Sequence, residues 1–553
     1  MKINVPRNAV ATKMIPAVFS LENNLSTNLN NLYLYPSLCY LFIYYFSVII
    51  KEFFKMNDKI KEEAFGKNDI RGIFGDTVTP TLFYFTAKAY VKYACEQTGK
   101  NAKDIWVTVV RDARHSSEDL AKALIKGLTT AGANVVDLGL APTPIGYYSE
   151  FASLDFNLPK KVDITGTLIV TASHNPPEYN GLKMTFNKAS MNEAQIQEIK
   201  KLTLEIANQP DKNAFCYGLT RKADIIPQYI ENMTKSFAKI GTGLKVVVDS
   251  ANATGGLVGP ELYRELGCDV VEMYSEPDGD FPHHHPNPSD ESTLDDIKAK
   301  VVETNADFGI AFDGDSDRIG VVDDKGRAIP GDKLLLIFAL DVIEPFKLRG
   351  EVATFVSEVK CSQIMYDTIN ASGGRAIMWK TGHGFIKSKM KEENAVLAGE
   401  MSGHIFFKDR YYGFDDAVYA GCRFIEIVAK HKKDNPEFKI SEFIDSLPWA
   451  SASKEVRYKC PNEFKMIILT ELAELFEKDK NVFCNPIKDI ITIDGLRLVF
   501  PDGFALIRAS NTEPVFTMRF EAKTEENSKK YKDKMLELVD GMLEKLQVGN
   551  VKN

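Results

Sequence analysis

A serine, a histidine and two asparagines crowd the stretch LIVTASHNPPEYNGLKM, residues 168 to 184. The apolar run before Ser173 suits a buried strand, so its hydroxyl projects from the loop that follows, stiffened by Pro176 and Pro177. A lone serine at such a place would cap a helix. The density of His174, Asn175, Asn180 and Lys183 argues for a site instead. A serine hydrolase fits poorly: no G-x-S-x-G elbow is present, and His174 is a chain neighbour that need not point at Ser173.

A second strand, in DFGIAFDGDSDRIG, ends in Asp313, Asp315 and Asp317. Carboxylates at alternate positions are the hard oxygen donors that Mg²⁺ or Ca²⁺ prefers. An EF-hand is excluded, because Arg318 takes the sixth loop position, where glycine makes the turn, and Asp324 takes the twelfth. An acidic surface turn is the plainer reading, but three aspartates directly after a buried strand repel one another unless a cation joins them. Three ligands leave an octahedral Mg²⁺ open to water or a phosphate oxygen.

Two further clusters are polar and suited to a phosphorylated, hydroxyl-rich ligand. LAGEMSGHIFF sets Glu400, Ser402 and His404 at alternate positions, which in an extended loop face one way. Upstream lie Lys360, Lys380, His383 and Lys387. IRASNTEP places Arg508 beside Ser510, Asn511 and Thr512, with Arg519 beyond, and a guanidinium with small hydroxyls and turn amides makes a phosphate cradle. Either motif alone is also a satisfied strand or an ordinary turn.

In α/β folds such groups gather at the carboxyl ends of parallel strands, and the sequence repeats the unit that would hold them. Val-rich strand, polar turn, amphipathic helix, glycine and second strand recur from Asp104 to Gly139, from Leu244 and from Glu351. Strands without alternation are buried on both faces, and the intervening helix predicts a parallel crossover. Gly132, Gly267 and Gly373 or Gly374 fall where a helix end takes a left-handed residue. Residues 491 to 522 instead alternate around Pro501-Asp502-Gly503, as antiparallel strands do, and a Lys/Glu-rich helix follows. The expected fold is three similar mixed α/β domains, then a smaller α+β C-terminal domain, around a central cleft.

The chain of 553 residues is long enough for several cores, with 44% hydrophobic and 26% charged residues. A net charge of -8 argues against a general nucleic-acid binder. Its eight cysteines are scattered, without a C-x-x-C pair, which suits a reducing cytoplasm. Residues 32 to 50 form an uncharged apolar stretch followed directly by Lys51, close to the length of a membrane span. The first 55 residues are rich in Asn, Leu, Tyr, Phe, Ile and Lys and read as translated spacer, with the ordinary start at Met56; no membrane association is expected unless the stretch is real.

Together the four loops resemble the signature of the α-D-phosphohexomutase superfamily, most closely its bacterial phosphomannomutase/phosphoglucomutase branch, from about KNDIRGIFGD to MRFEA. The resemblance implies domains over 60–215 (phosphoserine loop), 216–326 (metal loop), 327–445 (sugar loop) and 446–553 (phosphate loop), behind an extension over 1–55. It implies a phosphoryl-carrying Ser173, which with Asp313, Asp315 and Asp317 holds Mg²⁺. Arg71, Lys183, His383 and Arg318 become catalytic residues, with Lys183 and His383 as acid and base. Lys360, Glu400, Ser402, His404, Arg508, Ser510, Asn511 and Thr512 become substrate-binding. Ser316 stands where glycine is usual. The implied reaction interconverts hexose 1- and 6-phosphates of mannose or glucose through a hexose 1,6-bisphosphate. Three alternatives stand beside it: a phosphoglucosamine mutase, a phosphatase with Asp313 or Asp315 as nucleophile, and a non-catalytic sugar-phosphate sensor.

Overall fold

The computed structural model describes residues 59–156, 158, 161–209, 217–510 and 514–550. The apolar stretch 32–50 lies outside them, and among the described residues no helix is long and apolar enough to cross a membrane.

One four-stranded pattern recurs three times. A first strand pairs in parallel with a second on one side and with a third on the other, and the third turns back antiparallel into a fourth. In the first copy these are Trp106–Arg111, Asn134–Leu140, Gly166–Val170 and Tyr179–Phe186. In the second they are Lys245–Asp249, Asp269–Met273, Phe308–Phe312 and Ile319–Asp323. In the third they are Thr354–Glu358, Arg375–Trp379, Leu397–Gly399 and Ile405–Phe407. Every residue of the three turning strands, Gly166–Val170, Phe308–Phe312 and Leu397–Gly399, is buried, which is why none alternates.

Helices Ser117–Thr130, Gly259–Glu265 and Gln363–Ala371 make the crossovers. Each is followed by a glycine in the left-handed region: Gly132, Gly267 and Gly373, at φ 94°, 96° and 97°. The first sheet also gains Ile70–Ile73 at one edge and Thr220–Lys222 at the other, so it draws on chain beyond residue 215.

The C-terminal part is an antiparallel sheet of six strands, turning between Phe500 and Gly503 as expected. Helices Asn462–Lys478 and Glu525–Asn550 cover it through Ile468, Leu472, Phe476, Tyr531, Met535 and Val539. Between the third copy and this sheet the chain forms helices Ala417–Asp434 and Ile440–Ser446.

One hydrophobic core runs through the three copies, from Val110 and Ile169 through Val246 and Phe312 to Phe355 and Ile405. The C-terminal unit has its own core. It meets the third copy through a small patch of Val359, Phe504 and Leu506 and through buried Arg497, which donates to the carbonyls of Val359 and Cys361.

Candidate active site

The Ser173, aspartate and Glu400 loops are the same loop in three copies: each joins the third strand to the antiparallel fourth. This excludes the helix-cap reading of Ser173, because a hairpin follows it. Ser173 is 2% exposed, and its Oγ donates to Asp313 Oδ2 at 2.7 Å. The loops touch at the backbone as well, for a Cβ on Gly314 would stand 2.3 Å from the Ser173 carbonyl oxygen. Ser316 adopts φ 61°, so serine takes the left-handed turn that glycine would make freely, and its hydroxyl lies 3.2 Å from Thr254 Oγ1.

Asp313, Asp315 and Asp317 are all buried, and an oxygen from each lies within 4.8 Å of the others. Burial, with Asp317 and Asp315 beside it, pushes the Asp313 carboxyl up to about 8. Lys183 Nζ, on Tyr179–Phe186, contacts Asp315 Oδ2 at 2.6 Å and Asp317 Oδ2 at 2.5 Å. Burial alone would lower the lysine, but Asp315 and Asp317 outweigh it and hold Lys183 protonated, well above the usual range. Burial also disfavours the Asp317 anion, yet Lys183 and His404 bring its carboxyl below the usual range. Asp315 Oδ1 and Asp317 Oδ1 remain buried with no hydrogen-bond donor. Unpaired carboxylate oxygens in an all-oxygen cluster fit a hard divalent cation.

His404 closes the cluster from the third copy. Its Nε2 accepts from Arg318 Nε at 3.0 Å, and its Nδ1 stands 3.3 Å from Asp415 Oδ2 and 3.6 Å from Asp317 Oδ1. Asp415 also meets Lys387 Nζ at 3.0 Å and His383 Nδ1 at 3.7 Å. Burial would raise this carboxyl, but Lys387 and the two histidines hold it well below the usual range. Burial and Lys387 lower His383 far enough that it is a neutral base. Arg71 reaches in from the edge strand, donating to the Ala172 carbonyl at 3.2 Å and Asn175 Oδ1 at 2.7 Å.

The third loop is not extended. Gly403 at φ 91° closes a tight hairpin in which the Glu400 amide donates to the His404 carbonyl, so the chain is bent where an extended loop was expected. Glu400 Oε1 accepts the Gly382 amide at 2.6 Å. Burial and Glu358 raise its carboxyl. Ser402 is half-buried, its carbonyl taken by Ser289 Oγ.

Lys360, Arg508 and Ser510 form a second group. Lys360 Nζ donates to Glu455 Oε2 at 3.1 Å, and Lys465 Nζ donates to the Ser510 carbonyl at 2.7 Å. Asp494 Oδ2 accepts both Arg508 Nε and the Thr381 amide at 3.0 Å. Arg519 braces the loop, pairing with Asp332 at 2.9 Å. Asn511 and Thr512 lie outside the described residues. Asp415, Lys465 and Arg114 escaped the sequence reading; only the doubled acid of GFDDAV hinted at the first.

Three α/β copies sharing one core, an antiparallel fourth unit and a serine hydroxyl set on buried carboxylates define an α/β protein with a buried acidic site at its loops. Models of the phosphoglucomutase/phosphomannomutase alpha/beta/alpha domains I, II and III match residues 62–210, 227–326 and 330–445, and that of the C-terminal domain matches 455–538. A phosphomannomutase/phosphoglucomutase of Pseudomonas aeruginosa is 38% identical over 466 residues, 84% of this chain and 92% of that protein. A phosphoglucomutase of Neisseria gonorrhoeae is 38% identical over 472 residues, 84% and 94% of the two chains. A crystal structure of a phosphoglucomutase/phosphomannomutase family protein from Burkholderia thailandensis superposes with a TM-score of 0.77 at 36% identity, covering 88% of this chain and 98% of the other. The chain belongs to the phosphoglucomutase/phosphomannomutase family.

Proposed function

We propose that this protein is a cytoplasmic phosphohexomutase that interconverts the 1- and 6-phosphates of glucose or mannose, with Ser173 as the phosphoryl carrier. The hydrogen bond from Ser173 Oγ to Asp313 inside a cluster of three buried carboxylates carries this reading. Asp313, Asp315 and Asp317, with the Ser173 phosphate, would hold Mg²⁺, which when bound supplies neutralising charge for phosphoryl transfer.

The chain's own residues do the rest. Phosphoryl transfer needs positioning and charge stabilisation more than covalent help. The ammonium of Lys183 and the guanidinium of Arg318 supply fixed positive charge at the serine. The free hydroxyl of a hexose monophosphate attacks phosphorus and the bond to Ser173 Oγ breaks, giving a hexose 1,6-bisphosphate; neutral His383 accepts the hydroxyl proton. The bisphosphate turns over and returns its other phosphate to Ser173, with the proton donated back. Arg508 and Ser510, with Asn511 and Thr512, hold the phosphate that is not reacting. Lys360, Glu400, Ser402 and His404 grip the sugar in both orientations.

Incubation with glucose 1,6-bisphosphate and Mg²⁺, followed by intact mass and peptide mapping, tests the proposal. One phosphate on Ser173, with turnover of glucose 1-phosphate or mannose 1-phosphate, is expected. Phosphate on Asp313 or Asp315, or binding without turnover, would overturn it.

A further inference from the structure

Arg114 lies outside the proposed catalytic set, yet it holds the Ser173 loop more extensively than any residue of that set. It is 2% exposed. A guanidinium has five N–H donors and no acceptor, and here all are used. Nε donates to Asp112 Oδ2 at 3.0 Å. One terminal nitrogen donates to the carbonyls of Ser173 at 2.8 Å and Asn175 at 2.6 Å, and the other to those of Tyr179 at 3.1 Å and Pro176. Every donor except Nε therefore closes on the backbone of a single loop, and none is left for a substrate.

The loop has reason to be held. Ser173 sits at φ 52°, in the left-handed region that residues with a Cβ seldom adopt and that persists only when its surroundings enforce it. The Ser173 carbonyl gripped by Arg114 is the same one that Gly314 of the aspartate loop approaches so closely. Thr171 Oγ1 accepts the Ser173 amide at 2.8 Å and donates to Asp112 Oδ2 at 2.8 Å, so Asp112 joins the guanidinium to the serine's own N–H. Phe281, from the second copy, covers the guanidinium with its ring at 5.3 Å.

We infer that Arg114 is a positioning residue for the phosphoryl carrier: through the carbonyls of Ser173, Asn175, Pro176 and Tyr179 it fixes where Ser173 Oγ stands relative to Asp313. The inference rests on Ser173 being the carrier.

Arg114→Lys in the full chain tests it, because an ammonium keeps the charge but has three donors and no planar fork. Ser173 phosphate is followed by mass after glucose 1,6-bisphosphate and Mg²⁺, kcat and KM by coupled assay, and folding by thermal melting. A displacement of about 1 Å at a reacting atom costs up to about 100-fold, so kcat should fall about 10- to 100-fold with KM within about twofold and phosphorylation of Ser173 slowed. A folded variant with unchanged kcat overturns the inference, as does a raised KM with kcat intact. Should Arg114→Lys not fold, Thr171→Val, which cuts the link between Asp112 and the Ser173 amide at nearly constant shape, carries the same expectation and the same overturning results. If the unsubstituted protein takes no phosphate on Ser173, the carrier assignment itself fails.

Discussion

Arg318 Nε donates to His404 Nε2 at 3.0 Å, and this bond fixes the imidazole tautomer. With Nε2 an acceptor, the proton resides on Nδ1, the nitrogen that faces Asp415 and Asp317. Arginine and histidine are thereby set as a pair, and the carboxylate of Asp415 stabilises whichever ring takes a proton.

Asp415→Asn therefore removes the counter-charge shared by His404, His383 and Lys387 while preserving shape. Steady-state kinetics should show kcat lowered by at least about tenfold, less than the roughly 100- to 10,000-fold that positioned proton transfer contributes, because the bases themselves remain. Unaltered kcat would remove Asp415 from the mechanism.

Asp315→Asn separates metal binding from folding. The side chain retains an oxygen for Lys183 and Thr143 and relieves repulsion among three buried acids. Without metal, the variant should melt at or above the temperature of the parent. Adding Mg²⁺ should raise the melting temperature of the parent alone, as expected of a ligand that binds only the folded state. Turnover at saturating Mg²⁺ should be nearly lost.

Asp494 occupies the guanidinium of Arg508, the group proposed to hold a phosphate. The ion pair is partly buried at 3.0 Å and of the kind worth about 1 kcal/mol or less. Asp494→Asn should tighten binding of inorganic phosphate by up to about fivefold, measured by calorimetric titration, because about 1.4 kcal/mol corresponds to tenfold. Weaker binding would mean that Asp494 orients the guanidinium instead of occupying it.

Glu150 gives a pH signature away from the cleft. It is buried against Thr185 and the Lys188 amide, and burial raises its carboxyl from 4.5 to about 7. The folded protein holds this proton more tightly than the unfolded chain. The stabilising contribution is therefore complete below pH 4.5, declines as pH rises and is gone above about 7. Urea denaturation of Glu150→Gln should lack this decline, a difference on the order of 3 kcal/mol across the window at about 1.36 kcal/mol per pKa unit. Parallel pH profiles for variant and parent would refute the assignment.

The repeated unit was legible because its marks are local: Val runs, a helix-ending glycine and polar residues directly after a strand. The polar clusters at Ser173, at Asp313 to Asp317 and at Arg508 were visible as candidates for the same reason, since each stands out within one short stretch. Asp415 and Arg114 were not, because their partners are distant in sequence and a single buried charge looks like any surface charge until the fold encloses it. The bend of the Glu400 loop was not legible either. Alternation says which way side chains point only if the backbone is extended, and Gly403 makes it turn.

The division of the interior into one core spanning three copies and a separate core in the C-terminal unit has a calorimetric consequence. Cooperativity follows shared apolar contact. Residues of one core that bury one another across the first three sheets should lose order together, whereas among the described residues the last unit meets them through a small apolar patch and polar links such as Arg519 with Asp332 and Lys454 with Glu291. On heating, excess heat should be absorbed in two steps: a small one for roughly the last hundred residues, and a larger one for the three sheets of residues 70 to 407. Ligands that bridge Arg508 and Ser173 should draw the two steps together.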